Sequence, residues 1–334
     1  MANKGHTFLR RMQKMRIFAA MQRKGRRMRR VYYPVFALWW LLSLLPLRLL
    51  YALADGLLFP LVYGVMRYRR RLVAQQLADS LPECSAQDRK RIGRDFYRFF
   101  CDYLVETLKM MSMSEAEVRR RVEWVGLEEL KRTARTEGKP VNLAYLGHLG
   151  NWEWMSSAGL HLMPDFGFAQ IYHPLRNASI DALFLHVRGR FGGRCVAMRE
   201  TLRHIVETAR AGRNEVVGFI ADQSPKWEAM HQWCRFLHHD TSFFIGVESI
   251  AKRVDGAVYY VDVTRPRRGY YRAEVKLVTL RPKEFKDFEL TDRYAQLLEE
   301  SIRRNPHLWL WTHKRWKRSR AEWEERQRRV PSKS

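Results

Sequence analysis

The chain has 334 residues, 46% of them hydrophobic, enough to bury one large α/β core or two small ones. Its 61 Lys and Arg against 35 Asp and Glu give a formal charge of +26, a surplus that calls for an anionic partner: nucleic acid, anionic lipid or an acidic protein. Cys84, Cys101, Cys195 and Cys234 show no CxxC spacing, which argues against a disulfide framework or a zinc site and favours a reducing compartment.

Residues 1–30 form a basic extension with eleven Lys or Arg and no acid. The character then changes abruptly. Val31 to Leu47 carries no charge, and Leu49 to Met66 holds only Asp55. Pro34, Pro46 and Pro60 divide this region, and Arg67, Arg69, Arg70 and Arg71 follow it. The apolar region is too long for a signal peptide, and its first uninterrupted piece is short for a comfortable membrane span. Residues 31–71 are therefore read as a membrane-anchoring helical region, crossing the bilayer or lying in its interface with Trp39 and Trp40 as anchors. If inserted, the basic N-terminus stays cytoplasmic. A buried helical hairpin is the competing reading.

Residues 72–317 form the next unit, starting with a helical lead-in. Leu72 to Asp79 is a helix. Ser85 caps another over Asp88 to Met110, whose apolar positions recur at three and four. Ser114 caps Glu115 to Arg121. Val122 to Val125 is a short strand and Leu127 to Thr136 a helix.

Val141 to Leu146 reads as a buried strand, followed by Gly147, His148, Gly150, Asn151 and Glu153. This places a histidine just past a strand end, with Asn151 capping a short helical run. Histidine exchanges protons near neutral pH, and a nearby carboxylate can orient its ring. The loop holds no serine or cysteine beside the pair, and the chain has no GxSxG elbow. Any hydroxyl that His148 activates thus belongs to a substrate. A surface histidine in a helix-capping loop is the bland alternative.

The remaining elements follow an α/β period. Phe168 to Tyr172, Arg194 to Met198 and Glu215 to Ala221 are strands; Ala178 to Arg190 and Glu200 to Ala211 are helices. Asp222 and Gln223 stand at a strand exit and can share a crevice with His148. Thr241 to Arg253 is a helix after an aromatic, His-rich loop. Ala257 to Thr264 and Tyr270 to Thr279 form a basic hairpin or edge pair. Thr291 to Arg304 is a helix, a tryptophan-dense segment follows, and residues 318–334 are a basic, frayed tail. Phosphate-loop, dinucleotide and metal-cluster spacings are missing; His238-His239 alone is weak evidence for a metal.

His148-Leu149-Gly150-Asn151-Trp152-Glu153, within GHLGNWE, resembles the HxxxxD/E motif of the glycerolipid acyltransferase group. Together with Tyr172 to Asn177, Gly218 to Gln223 and Trp309 to Lys317, it resembles the lipid A biosynthesis lauroyl/myristoyl acyltransferases, the late acyltransferases of Gram-negative bacteria. The likeness runs from about Tyr32 to Lys317 and leans toward the branch found in Bacteroidetes. The loop from Ser224 to Phe244 departs from the usual pattern, carrying Trp227, Trp233 and Phe236.

The resemblance implies an α/β fold, an αβα sandwich around a mixed sheet. It implies acyl transfer from acyl-acyl carrier protein to a hydroxyl of a lipid A precursor at the cytoplasmic face of the inner membrane. His148 is then the general base and Glu153 its orienting carboxylate, with no covalent acyl-enzyme and no cofactor or metal. Arg176 is the expected phosphate or oxyanion contact. Asn151 holds the loop or binds the acceptor, and Asp222 and Gln223 shape the crevice. The expected partners are the acyl carrier protein, anionic membrane lipid and the lipid acceptor. The acyl channel is expected between the N-terminal helices and the sheet. Another lysolipid as acceptor fits the same chemistry. A basic nucleic-acid-binding protein fits the charge and leaves the apolar run unexplained.

Overall fold

The computed structural model describes residues 26–329. Most of the basic extension, and the last five residues of the tail, lie outside them. Nine strands occur among the described residues: β1 Val122–Val125, β2 Val141–Leu146, β3 Gly167–Tyr172, β4 Arg194–Ala197, β5 Glu215–Ile220, β6 Cys234–Phe236, β7 His239–Thr241, β8 Ala257–Arg267 and β9 Tyr270–Thr279. Seven build one mostly parallel sheet in the order β1-β9-β8-β2-β5-β3-β4. Only β8 and β9 pair antiparallel within it. The expected basic hairpin at 265–269 is therefore present, but it is no edge pair, because β1 covers the outer side of β9.

Helices cover both faces, as expected for an αβα sandwich. Alternation along β2 sends Tyr145 to one face and Ala144 and Leu146 to the other. Tyr145 stacks on Tyr294 of the helix Glu289–Arg304, with ring centroids 4.3 Å apart. On the same face the Tyr260 hydroxyl donates to Ser301 at 2.9 Å. Ser85 and Ser114 cap the helices Ala86–Lys109 and Glu115–Arg121 as the sequence predicts, each accepting a backbone N–H three residues on.

Two segments differ from the sequence reading. Part of the 224–244 loop folds into the β6–β7 hairpin, which delays the following helix to Gly246–Val254. The tail read as frayed contains a helix at Arg320–Arg329. Ser319 and Glu322 cap it reciprocally, and Arg320–Glu324 and Glu325–Arg329 pair one turn apart.

The N-terminal region is helical from Arg26–Ser43, and a second helical run extends through Leu47–Val65, partly with π-type turns. Among the described residues this second run alone is long and apolar enough to cross a membrane. Leu49, Leu53, Leu57, Leu61 and Val65 recur every fourth residue and all are exposed, whereas Leu50 and Ala54 are buried against the protein. Removing each exposed aliphatic side chain from water is worth roughly 1–2 kcal/mol, so the stripe favours an apolar environment. The end of the first helix is secured by buried Lys109, which donates to the carbonyls of Ser43 and Leu45 at 2.9 and 3.1 Å.

A C-terminal strap, residues 306–318, lies across the carboxyl end of β2. Leu149 bridges Trp309, and the Leu310 N–H donates to the His148 carbonyl at 3.1 Å. Buried Gln76 fixes the strap by donating to the Trp311 carbonyl at 2.7 Å and accepting from the Arg315 N–H at 3.0 Å. His313 accepts from the Ser224 N–H through Nε2 at 3.3 Å, which requires a neutral ring. Burial pushes its pKa down to about 4; Asp222 opposes the shift and Lys317, Arg315 and His148 reinforce it. The unfolded chain takes up this proton near the ordinary value of 6.5, and the folded chain resists it until about pH 4. The His313 contribution to stability is thus full above pH 6.5 and is lost as pH falls toward 4. His161, His239 and His307 shift in the same direction, also because of burial. The melting temperature is expected to fall across this window, and His313→Gln to reduce the slope, measured by thermal unfolding from pH 7.5 to 4.

Candidate active site

β2 and β5 pair parallel in strict register, Val141 opposite Glu215 through Leu146 opposite Ile220. Continuing both chains two residues past the sheet brings His148 opposite Asp222. His148 Nδ1 lies 2.6 Å from Asp222 Oδ1, and the His148 backbone N–H donates to Oδ2 at 2.9 Å. Trp309 Nε1 donates to the same Oδ2 at 2.8 Å. Burial alone would raise the Asp222 pKa, but the His148 charge, its hydrogen bonds and that of Trp309 hold it at about 2. An ionised Asp222 keeps the proton on Nδ1 and leaves Nε2 as the basic nitrogen. Nε2 lies 3.2 Å from Gln223 Nε2, whose N–H donates to it in that tautomer.

The loop carrying His148 has a shape that depends on glycine. Gly150 has φ of +62°, and a Cβ there would stand 2.8 Å from Val263 Cγ1. Beyond it, Trp152 stacks on Tyr103 with centroids 4.1 Å apart and meets the His148 ring edge-on at 4.9 Å. These contacts leave the imidazole little freedom to turn.

The structure reassigns several of the expected contacts. Glu153 is buried and grips Arg188 in a bidentate pair, Arg188 Nε and Nη2 donating at 2.7 and 2.6 Å. It makes no hydrogen bond to His148; Asp222 makes the orienting contact instead. The reason is register, since the Asp222 carboxylate lies across from His148 whereas Glu153 lies beyond a turn that aims it at the helix Ala178–Arg188. Asn151 is fully buried: Nδ2 donates to Glu106 at 2.9 Å, and Oδ1 accepts from the Trp154 N–H at 3.2 Å. It holds and caps the loop and has no surface for an acceptor. Arg176 sits exposed on the loop after β3 and is not part of the cavity wall beside His148. Gln223 is in that wall, touching the histidine.

Arg188 and Glu106 were not singled out from the sequence. Arg188 is one of many arginines, and only its pairing with Glu153 distinguishes it. Glu106 reads as one acid in a charged amphipathic helix, although it is fully buried.

A cavity of about 710 Å³ opens beside these groups. Its polar end has His148, Glu153, Arg188 and Gln223. Its floor is the apolar sheet face of Ala144, Leu146, Val216, Gly218, Val261 and Val275, roofed by Leu127, Leu130, Met155, Val247 and Ile250. The lining of this cavity begins at Trp124, so it includes no residue of the N-terminal helices. Lys226, Lys317 and Arg318 also border it. Burial and the positive neighbours Arg318, Arg315, Arg69 and Lys314 push the Lys317 pKa down, the signature of concentrated positive charge. Among the described residues, no group of three or more His, Cys, Asp or Glu is arranged to hold a metal ion.

Comparison with known proteins bears on what this arrangement does. The chain is 24% identical over 278 residues to the lipid A biosynthesis palmitoleoyltransferase of Escherichia coli K12, covering 75% of this chain and 80% of that protein. The same identity and coverage relate it to a lipid A biosynthesis acyltransferase of Shigella flexneri. It is 25% identical over 151 residues to the E. coli lipid A biosynthesis myristoyltransferase, 45% of this chain and 44% of that protein, so this match spans less than half of the relative. Residues 20–318 match the family described as bacterial lipid A biosynthesis acyltransferase. With that match covering most of the chain and a fold that joins its motif residues in one site, the protein is an acyltransferase belonging to the bacterial lipid A biosynthesis acyltransferase family.

Proposed function

We propose that the protein transfers a fatty acyl chain from acyl-acyl carrier protein to a hydroxyl of a lipid A precursor, at the cytoplasmic face of the inner membrane. The observation carrying this reading is the His148–Asp222 pair at the mouth of an apolar cavity. The acceptor hydroxyl displaces Gln223 from Nε2 and gives up its proton there, while Asp222 stabilises the imidazolium. The oxygen attacks the thioester carbonyl. The tetrahedral intermediate expels the carrier thiolate, which takes the proton from His148. The acyl chain lies along the apolar sheet face. Arg188, held rigid by Glu153, offers its guanidinium to the developing oxyanion, the part assigned from the sequence to Arg176. Glu153 then supports the reaction through Arg188. A thioester is already activated, so the chemistry asks for no redox group or metal.

The surroundings support both substrates. The exposed Leu49–Val65 stripe suits a lipid surface, and the basic residues that follow it suit anionic headgroups. Lys226, Lys317 and Arg318 at the cavity suit a phosphorylated acceptor or an acidic carrier. We assign residues 31–71 to membrane anchoring and 72–317 to catalysis.

Three outcomes are expected with purified protein, acyl-acyl carrier protein and a lipid A precursor. His148→Ala lowers kcat by about 10²–10⁴-fold, and Asp222→Asn by about 10²-fold or more because the wrong ring tautomer becomes accessible. Arg188→Lys, which loses the fork but keeps the charge, lowers kcat by about tenfold, equivalent to one charge-assisted hydrogen bond. Lipid A from cells lacking the gene is expected to miss one secondary acyl chain by mass spectrometry, restored by the wild-type gene but not by His148→Ala. An unchanged lipid A with a deficit in another acylated lipid would transfer the reading to a lysolipid acceptor.

A further inference from the structure

Glu106 lies in the last turn of the helix Ala86–Lys109 with no solvent exposure. Oε2 accepts from Asn151 Nδ2 at 2.9 Å and from the Tyr271 hydroxyl at 2.6 Å; Oε1 accepts from the Tyr51 hydroxyl at 2.7 Å. Arg265 stands 3.5 Å from Oε1. The Glu106 backbone carbonyl accepts from Trp154 Nε1 at 3.0 Å. One residue thus holds both sides of Glu153: Asn151 three positions after the histidine, and Trp154. Tyr271 adds a third tether, since its ring lies beneath Gly150, within 3.4 Å of where a Cβ would be.

The fourth partner belongs to a different part of the molecule. Tyr51 is on the apolar run Leu47–Val65, the helix whose outer stripe is exposed. That helix is joined to the same place a second time: Asp55 pairs with Arg268 at 2.7 Å, Arg268 continues to Asp102, and Arg265 bridges Asp102 at 2.6 Å and Glu106. The Arg268 guanidinium also covers the Tyr51 ring at 4.3 Å.

Burying a carboxylate is unfavourable, and an apolar side chain of similar volume often stabilises a fold equally well. A buried carboxylate that gathers hydrogen-bond donors from three separate segments adds direction, because each donor must meet a particular lone pair. We propose that Glu106 is a positioning residue for the His148 loop, and that through Tyr51 it joins the geometry of this loop to the seating of the apolar helix. Asn151 and Trp154 are held by Glu106, and their placement sets where the chain carries His148 relative to Asp222. The catalytic consequence rests on the function proposed above; the control of the loop does not.

The test uses the full chain in phospholipid nanodiscs with two readouts. Amide hydrogen exchange of residues 147–154 reports the loop, with β2 as internal reference. Steady-state kinetics with acyl-acyl carrier protein and a lipid A precursor separates kcat from acceptor KM. Glu106→Gln is expected to speed exchange in the loop tenfold or more while β2 stays protected, and to lower kcat at least tenfold with KM within twofold. Tyr51→Phe, which removes one hydroxyl and leaves the ring, is expected to shift both readouts in the same direction by about threefold. Wild-type loop exchange and kcat in both variants would overturn the proposal. So would a loss that follows a uniform rise in exchange across the chain, the mark of general destabilisation. Should Glu106→Gln fail to fold, Tyr51→Phe decides alone. His148→Ala with wild-type kcat would overturn the function while leaving the exchange result to judge the loop.

Discussion

The parallel, in-register pairing of β2 with β5 is the constraint on which the site depends. A one-residue slip between these strands would turn side chains to the opposite face and separate His148 from Asp222. The register is held by parallel pairing with β8 on one side and β3 on the other, by Tyr145 stacked on Tyr294, and by the Tyr294 hydroxyl donating to the Leu146 carbonyl at 2.7 Å. The C-terminal strap adds a lock from outside, since Trp309 binds the same carboxylate oxygen as the His148 backbone. Sheet, strap and loop therefore converge on one buried aspartate.

The site is divided between two hydrogen-bonded side-chain pairs. His148–Asp222 places a basic nitrogen at the cavity, whereas Arg188–Glu153 fixes a permanent positive charge at its polar end. Two carboxylates close to one histidine would compete for it and raise each other's pKa. Glu153 is committed to Arg188, while the His148 charge and the hydrogen bonds from His148 and Trp309 keep buried Asp222 ionised. The apolar sheet face beyond this end offers a long chain a dry surface, in keeping with a family that transfers acyl groups.

Much of the architecture was readable along the chain. Ser85 and Ser114 announced their helices, the strands read as short apolar runs, and the abrupt boundary after Arg30 separated charge from lipid-like sequence. His148 was readable as well, because a Gly-bracketed histidine after a buried strand is a local pattern. Its hydrogen-bond partner is not the carboxylate that the motif suggests. Glu153 is five residues from His148 and Asp222 is 74 residues away, so proximity in sequence points to a carboxylate that the imidazole does not bond. Arg176 likewise stood in a recognisable block, while Arg188 sat unmarked at the end of a helix.

The sequence by itself determined the fold class, the apolar N-terminal region and the position of His148 just past a buried strand, because these follow from periodicity, composition and a short motif. Tertiary structure alone decided which acid orients that histidine, which arginine reaches the cavity and where an apolar chain can lie. It also brought Tyr51, Glu106 and Asn151 together from three distant segments. Hydrogen-bond partnership is a matter of a few tenths of an ångström between side chains, and strand register sets those distances in ways that spacing along the chain does not encode.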